Sequence, residues 1–228
     1  MNQREELFRD VPLLARLQKE DLRALASRGR ARSYPAGATI FREGAPGDSL
    51  HIIIEGAVRV SVLSPSGVEA TIALLGPGEF VGDLALLDGK PRSASAIASQ
   101  RTKTLIVTRE SFRRWLSRRP KAALALLETL SQRVRTTDEA LADLSFLDLP
   151  HRLAKRLVYL ANAHAEVRTE DASGRVRLKI TQSELASMLG VSRESVNKQL
   201  SRFAQAGWLA LGRGSITLID TPALSEFA

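Results

Sequence analysis

Between Pro120 and Pro150 the chain contains neither glycine nor proline. Pro120 suits the first position of a helix, where its missing N–H costs nothing. A helix from there to about Leu147 would be on the order of 42 Å long at 1.5 Å rise per residue. No small domain buries such a rod whole, so it must stand between an N-terminal and a C-terminal part. Its apolar residues recur in heptads: Leu127, Val134 and Leu141 at one position, Leu130, Thr137 and Leu144 at the other. Charged residues, Arg133, Arg135, Asp138 and Glu139, flank them. A seam of this kind pairs helices, and its length suits a homodimer through residues 120–147 rather than a fibrous coil. The polar exception is Thr137, preceded by Thr136. A hydroxyl on a buried seam needs a partner, which makes the pair a candidate contact to something held between the helices.

Before the rod lies a segment of different texture. Nine of the fifteen glycines fall between Gly37 and Gly89, among short runs rich in Ile and Val. In 57–63, Val58, Val60 and Val62 alternate with Arg59 and Ser61. Short strands with glycine turns at such spacing indicate an antiparallel roll or barrel. Two more strands are expected at about 94–99 and 102–108. Thr108 then caps a helix whose Phe112 and Trp115 pack on the roll. Residues 12–28 show helical spacing (Leu14, Leu17, Leu22, Leu25) and read as two short helices broken near Gln18.

Inserted in the roll is the stretch 80–94, Phe-Val-Gly-Asp-Leu-Ala-Leu-Leu-Asp-Gly-Lys-Pro-Arg-Ser-Ala. Gly82 precedes a one- or two-turn helix, Leu84 to Leu87, and Arg92 and Ser93 come after it. The free N–H groups of a helix start, with a glycine allowing close approach, favour an anion. An arginine a few residues on supplies a permanently charged, bidentate partner. Each residue alone also reads as ordinary loop; together they argue for a phosphate pocket.

After Pro150 a second domain begins. A helix 151–165 turns Leu153, Leu157, Leu160 and Ala161 inward, 166–174 reads as a loop, and 175–180 as a half-buried strand. Thr181-Gln-Ser-Glu184 is a capping box. The helix it opens stops at Gly190, and Ser192 caps another running to Phe203. Two short helices joined by a tight glycine turn have helix-turn-helix spacing. The second presents Arg193, Glu194, Asn197 and Lys198 outward: an arginine for guanine, a carboxylate for cytosine N4, and further donors one turn on. Thr181, Gln182 and Ser192 lie at the starts of the two helices, beside the DNA. Downstream, 208–211 and 215–219 flank Gly-Arg-Gly, a wing with Arg213 at its tip; Trp208 belongs to the wing core.

Composition agrees. The net charge of +8 suits a polyanionic partner. Without any cysteine, and with three histidines at no ligand spacing, the chain offers no metal site, iron–sulfur cluster or thiol chemistry. The acids of the first six residues and the lack of a long apolar run predict a cytoplasmic protein with no membrane contact. Asp83, Asp88 and Arg92 form no nucleophile–base pair, so no enzyme is expected.

These motifs resemble the cyclic-AMP receptor protein / fumarate–nitrate regulator family of bacterial transcription factors over nearly the whole chain. Residues 44–56 are similar to its β-roll signature, 82–94 to its phosphate-binding cassette and 192–196 to its recognition helix. The resemblance implies an α+β fold: a jelly-roll-like cyclic-nucleotide-binding β-roll (1–119), a dimerisation helix and hinge (120–149), and a winged helix-turn-helix (150–228). It implies that Arg92 and Ser93 hold a cyclic phosphate cradled by Gly82, Leu84 and Ala85. Asp83 would take the ribose 2′-hydroxyl, and Thr136 and Thr137 the adenine. Cyclic AMP is the expected effector, cyclic GMP and cyclic di-GMP the alternatives, with a ligand-independent regulator beyond those. Asp83 stands where the family's cyclic-AMP binders have glutamate, and Lys198 where an arginine often reads guanine. The implied partners are a two-fold symmetric DNA operator and RNA polymerase; the loop 166–174 reads equally as a polymerase contact or as an inert connection.

Overall fold

The computed structural model describes residues 29–65, 67–163, 168–170 and 175–228, and the chain falls into two compact units. The expected helices within 12–28 lie outside the described residues. One unit comprises the roll and the long helix up to Thr136; the other comprises Thr137 onward together with 63–71.

The roll is built from two four-stranded antiparallel sheets. β1 (Arg30–Tyr34), β8 (Thr102–Thr108), β3 (Ser49–Glu55) and β6 (Phe80–Val81) form one, in that order. β2 (Thr39–Phe41), β7 (Ser95–Ala98), β4 (Val58–Leu63) and β5 (Glu69–Leu75) form the other. In β3 every residue from Leu50 to Ile54, His51 included, is buried, so the strand is covered on both faces rather than alternating. β4 departs from the expected alternation at Ser61, which is buried opposite Ser95 of β7, while Val62 is only half-buried. The strand lies between β7 and β5 in the sheet.

The inserted stretch forms α1 (Asp83–Asp88), framed by Gly82 and Gly89, both left-handed. Thr108 caps α2 (Arg109–Leu116) by accepting from the Ser111 N–H, and Phe112 and Trp115 enter the core as expected. α3 (Pro120–Phe146) is the predicted rod. Ala122, Ala125 and Leu126 pack into the roll core beside Leu86, Phe112 and Trp115, with Leu130 partly buried against them. Leu130, placed on the seam by the heptad count, therefore turns toward the roll. Leu127, Val134, Leu141 and Leu144 each leave more than half their surface exposed in the single chain. An apolar stripe left open in this way is a surface for another helix.

In the other unit, α4 (Leu149–Ala163) buries Leu153, Leu157, Leu160 and Ala161. Within the segment expected as a loop, Arg168–Glu170 form β9, paired antiparallel with β10 (Val176–Leu178). Next come α5 (Gln182–Leu189), α6 (Arg193–Gln205), β11 (Leu209–Gly212), β12 (Ser215–Leu218) and α7 (Thr221–Phe227). The sheet order is β11-β12-β10-β9. One core unites α4, α5, α6 and the inner face of this sheet through Leu157, Leu178, Leu185, Leu200 and Ile216. Trp208 lies in an aromatic group with Phe203 and Phe227, as wing core.

Candidate nucleotide pocket and nucleic-acid interface

In the roll, Gly82 ends β6 with φ near +90° and starts α1. A side chain there would be strained, and a Cβ would meet Arg92 Nη1 at 2.2 Å. The glycine is what lets the Arg92 guanidinium reach the cassette backbone. Arg92 Nη1 donates to Gly82 O at 2.8 Å and Nη2 to Ser49 O at 2.7 Å, with Ser49 Oγ at 3.3 Å. The guanidinium lies over the Phe41 ring, 4.2 Å from its centroid. Arg92 is buried, and its Nε has no hydrogen-bond partner among the described residues. Burial pulls its pKa below the ordinary arginine value, Asp48 and Asp83 oppose that, and Arg109 adds to it.

The loop before β3 is held tightly against α1. A Cβ on Gly47 would lie 2.2 Å from that of Ala85. Arg109, the first residue of α2, donates through Nη2 to both Gly47 O and Ala85 O. Ala85 is thus buried scaffold, whereas Leu84 and Ser93 are exposed at the cassette surface.

Asp83 is buried, and Arg133 of α3 answers it, with Nη1 3.0 Å from Asp83 Oδ2. Arg133 Nη2 also donates to Phe80 O at 2.7 Å, and the guanidinium lies over the Phe80 ring. The heptad pattern puts Arg133 among the solvated flanks of the seam; it turns instead to the cassette. The sequence does hold a signal for it, an arginine one helical turn before Thr136 and Thr137. Its partner, fifty residues earlier, carries no matching cue. Three guanidiniums, Arg92, Arg109 and Arg133, accompany two carboxylates, Asp48 and Asp83, and the balance is positive. Thr136 is exposed and donates its hydroxyl back to Gln132 O at 3.1 Å; Thr137 is likewise exposed.

In the other unit the reading head assembles as the sequence predicts. Thr181 and Glu184 form the reciprocal capping box, and Ser192 accepts from the Ser195 N–H. Gly190 ends α5 in the left-handed region. On α6, Val196, Leu200 and Phe203 are buried, while Ser192, Arg193, Glu194, Asn197 and Lys198 are exposed. The two helices are cross-linked at their exposed ends: Gln182 Nε2 donates to Asn197 Oδ1 at 3.0 Å, and Arg193 Nε reaches Gln182 Oε1 at 3.5 Å. Gln182 therefore ties the start of α5 to two outward side chains of α6. A cleft of about 390 Å³ separates this edge from the wing, lined among others by Thr181, Gln182, Arg193, Gly214 and Ser215. Arg213 is exposed at the wing tip.

Comparison with known proteins agrees with both halves. Residues 31–119 match the cyclic nucleotide-binding domain family, and residues 151–227 the Crp-like helix-turn-helix domain family. A CRP-like cAMP-activated global transcriptional regulator of Mycobacterium tuberculosis is 35% identical over 224 residues, covering 98% of this chain and 99% of the relative. The cyclic AMP receptor protein of Thermus thermophilus is 35% identical over 217 residues, 95% of this chain and 96% of its own. Among solved structures, a CRP/FNR-family transcriptional regulator from Thermus thermophilus superposes with TM-score 0.75 at 30% identity, over 87% of this chain and 97% of that one. The c-di-GMP-responsive regulator CLP of Xanthomonas campestris shares the fold with TM-score 0.80 at 22% identity, over 88% and 99%. With a nucleotide-binding roll, a helix-turn-helix and full-length relatives that are transcription regulators rather than enzymes, the chain belongs to the CRP/FNR family: it is a cyclic nucleotide-responsive, DNA-binding transcription regulator.

Proposed function

We propose that the effector is cyclic AMP, bound at the Gly82–Arg92 cassette of a homodimer paired through residues 120–147. The observation that carries this reading is the cassette itself. Gly82 admits the Arg92 guanidinium to the backbone, and the buried Arg92 Nε is a donor with no partner among the described residues. A cyclic phosphate supplies the acceptors that Arg92 now finds in carbonyls, and charge-assisted bonds to phosphate are stronger than those to neutral oxygens. Ser93 and the α1 amides complete the phosphate contacts. Asp83 takes the ribose hydroxyl while Arg133 holds its carboxylate. Thr136 and Thr137 read the base from α3. The closely similar relatives named as cAMP-activated or cyclic AMP receptors support the choice of nucleotide.

The layout is a nucleotide-binding roll (1–119), a dimerisation helix with hinge (120–149) and a winged helix-turn-helix (150–228). In the dimer, two recognition helices meet a two-fold symmetric operator whose half-sites lie one turn, about 34 Å, apart. Arg193, Glu194, Asn197 and Lys198 read bases. Thr181, Gln182, Ser192 and Arg213 hold phosphates, with polymerase the downstream partner.

Calorimetric titration with cyclic AMP, cyclic GMP and cyclic di-GMP tests the reading. Cyclic AMP is expected to bind most tightly, and Arg92→Leu to abolish its binding while the protein stays folded. Tightest binding of cyclic di-GMP would reassign the effector. No binding below about 100 μM by any of the three, roughly −5.5 kcal/mol, would sink nucleotide control.

A further inference from the structure

We infer that Phe41 is a positioning residue for the nucleotide: its ring sets the plane of the Arg92 guanidinium and so the direction from which that cation meets a phosphate. The inference rests on the reading of Gly82–Arg92 as the phosphate cassette. It begins at an irregularity in β2. Thr39 stands opposite Ile97 of β7 and Phe41 opposite Ala96, so β2 advances two residues where β7 advances one. Ile40 is the extra residue of a β-bulge. In a regular strand positions 39 and 41 share a face. Here the bulge separates them: Thr39 is exposed, whereas Phe41 turns to the side of the buried Ala96 and is half-buried. Bulges next to a site re-aim side chains, and this one brings Phe41 under Arg92.

What the ring does there follows from the shape of a guanidinium, which is planar, donates from a rigid fork and stacks on aromatic faces. Arg92 Cζ lies 4.2 Å from the Phe41 centroid, so one face of the cation is covered. Nη1 and Nη2 are held by the carbonyls of Gly82 and Ser49, and the buried Nε is the donor with no partner among the described residues. With the plane fixed by the ring and two corners fixed by carbonyls, the open edge points one way. A phosphate approaching that edge meets an arginine already placed, and the ordering of a long side chain no longer counts against binding. Behind the ring stands His51, with centroids 5.7 Å apart. Burial lowers its pKa to about 4, so near neutral pH it brings no second cation to Phe41.

Phe41 also packs against Ile53, Val58 and Ala96, so packing and positioning have to be separated. Phe41→Met keeps apolar bulk without an aromatic face, and Phe41→Tyr keeps the face. Calorimetry with cyclic AMP, cyclic GMP and cyclic di-GMP identifies the tightest ligand of the wild type, and the variants are titrated with that one. Phe41→Met is expected to bind it about tenfold more weakly, and Phe41→Tyr within about twofold of wild type. The second measurement needs no nucleotide. The Arg92 Nε–H resonance should be sharp in the wild type and in Phe41→Tyr. In Phe41→Met it should be averaged by motion while the core amides keep their shifts. An Nε–H signal that stays sharp in Phe41→Met, or equal affinity of the two variants, overturns the proposal and leaves the cassette reading standing. Nucleotide binding that survives Arg92→Leu, or no binding by the wild type, overturns the cassette reading and this proposal with it.

Discussion

Arg133 shows how far a single side chain can depart from the pattern that surrounds it. Heptad counting puts it on a solvated flank, yet its guanidinium closes on Asp83 and the Phe80 carbonyl, tying the start of the cassette to α3. Asp83 thereby acquires the counter-charge that a buried carboxylate needs. His51 is a second case in which surroundings override residue type. It is buried on β3 beside Phe41 and Tyr34, and burial first, then the nearby Arg92 and Arg32, lower its pKa to about 4. Unfolded, it would take a proton near pH 6.5, so between 6.5 and 4 the unfolded chain holds more protons and stability rises with pH. The contribution is therefore complete above pH 6.5 and is lost as pH falls toward 4. Urea unfolding should show a loss of about 2 kcal/mol between pH 8 and pH 5 that His51→Gln does not show. Identical pH slopes for the two proteins would mean that His51 titrates normally in the fold.

Among the elements, those legible in the sequence are the ones whose signals are local. The capping box at Thr181, the Ser192 cap, the glycine that ends α5 and the span between Pro120 and Pro150 each fix a boundary through neighbours within a turn. The cassette is legible for the same reason, as a glycine, a short apolar run and an arginine. The features that escape a sequence reading depend on distant partners. Leu130 leaves the seam because the roll core offers it apolar neighbours. Ser61 is buried because of its place opposite Ser95. The binding of Arg92 to Ser49 spans forty-three residues, which no periodicity encodes. Local signals also carry measurable energy. Ser192→Ala removes the acceptor for the Ser195 N–H and should cost about 1 kcal/mol in urea unfolding. A cost near zero would mean that water replaces the cap.

At the scale of the whole molecule, the exposed stripe Leu127, Val134, Leu141 and Leu144 is the feature a monomer leaves unexplained. Leu141→Lys places a charge on that stripe, and sedimentation should show a monomer at micromolar concentration where the wild type is a dimer. An unshifted dimer would place the interface elsewhere. The central claim joins the two ends of the chain: nucleotide at the cassette changes the affinity of the recognition helices for DNA. Coupling of this kind is a free energy, typically 1–3 kcal/mol, and it is reciprocal. The most direct measurement is the DNA dissociation constant of the full-length protein with and without saturating cyclic AMP, on a duplex the protein itself selects. A change of roughly fivefold or more is expected, with the same factor appearing in cyclic AMP affinity when DNA is bound. Equal DNA affinity in the two conditions, with cyclic AMP demonstrably bound, would contradict it.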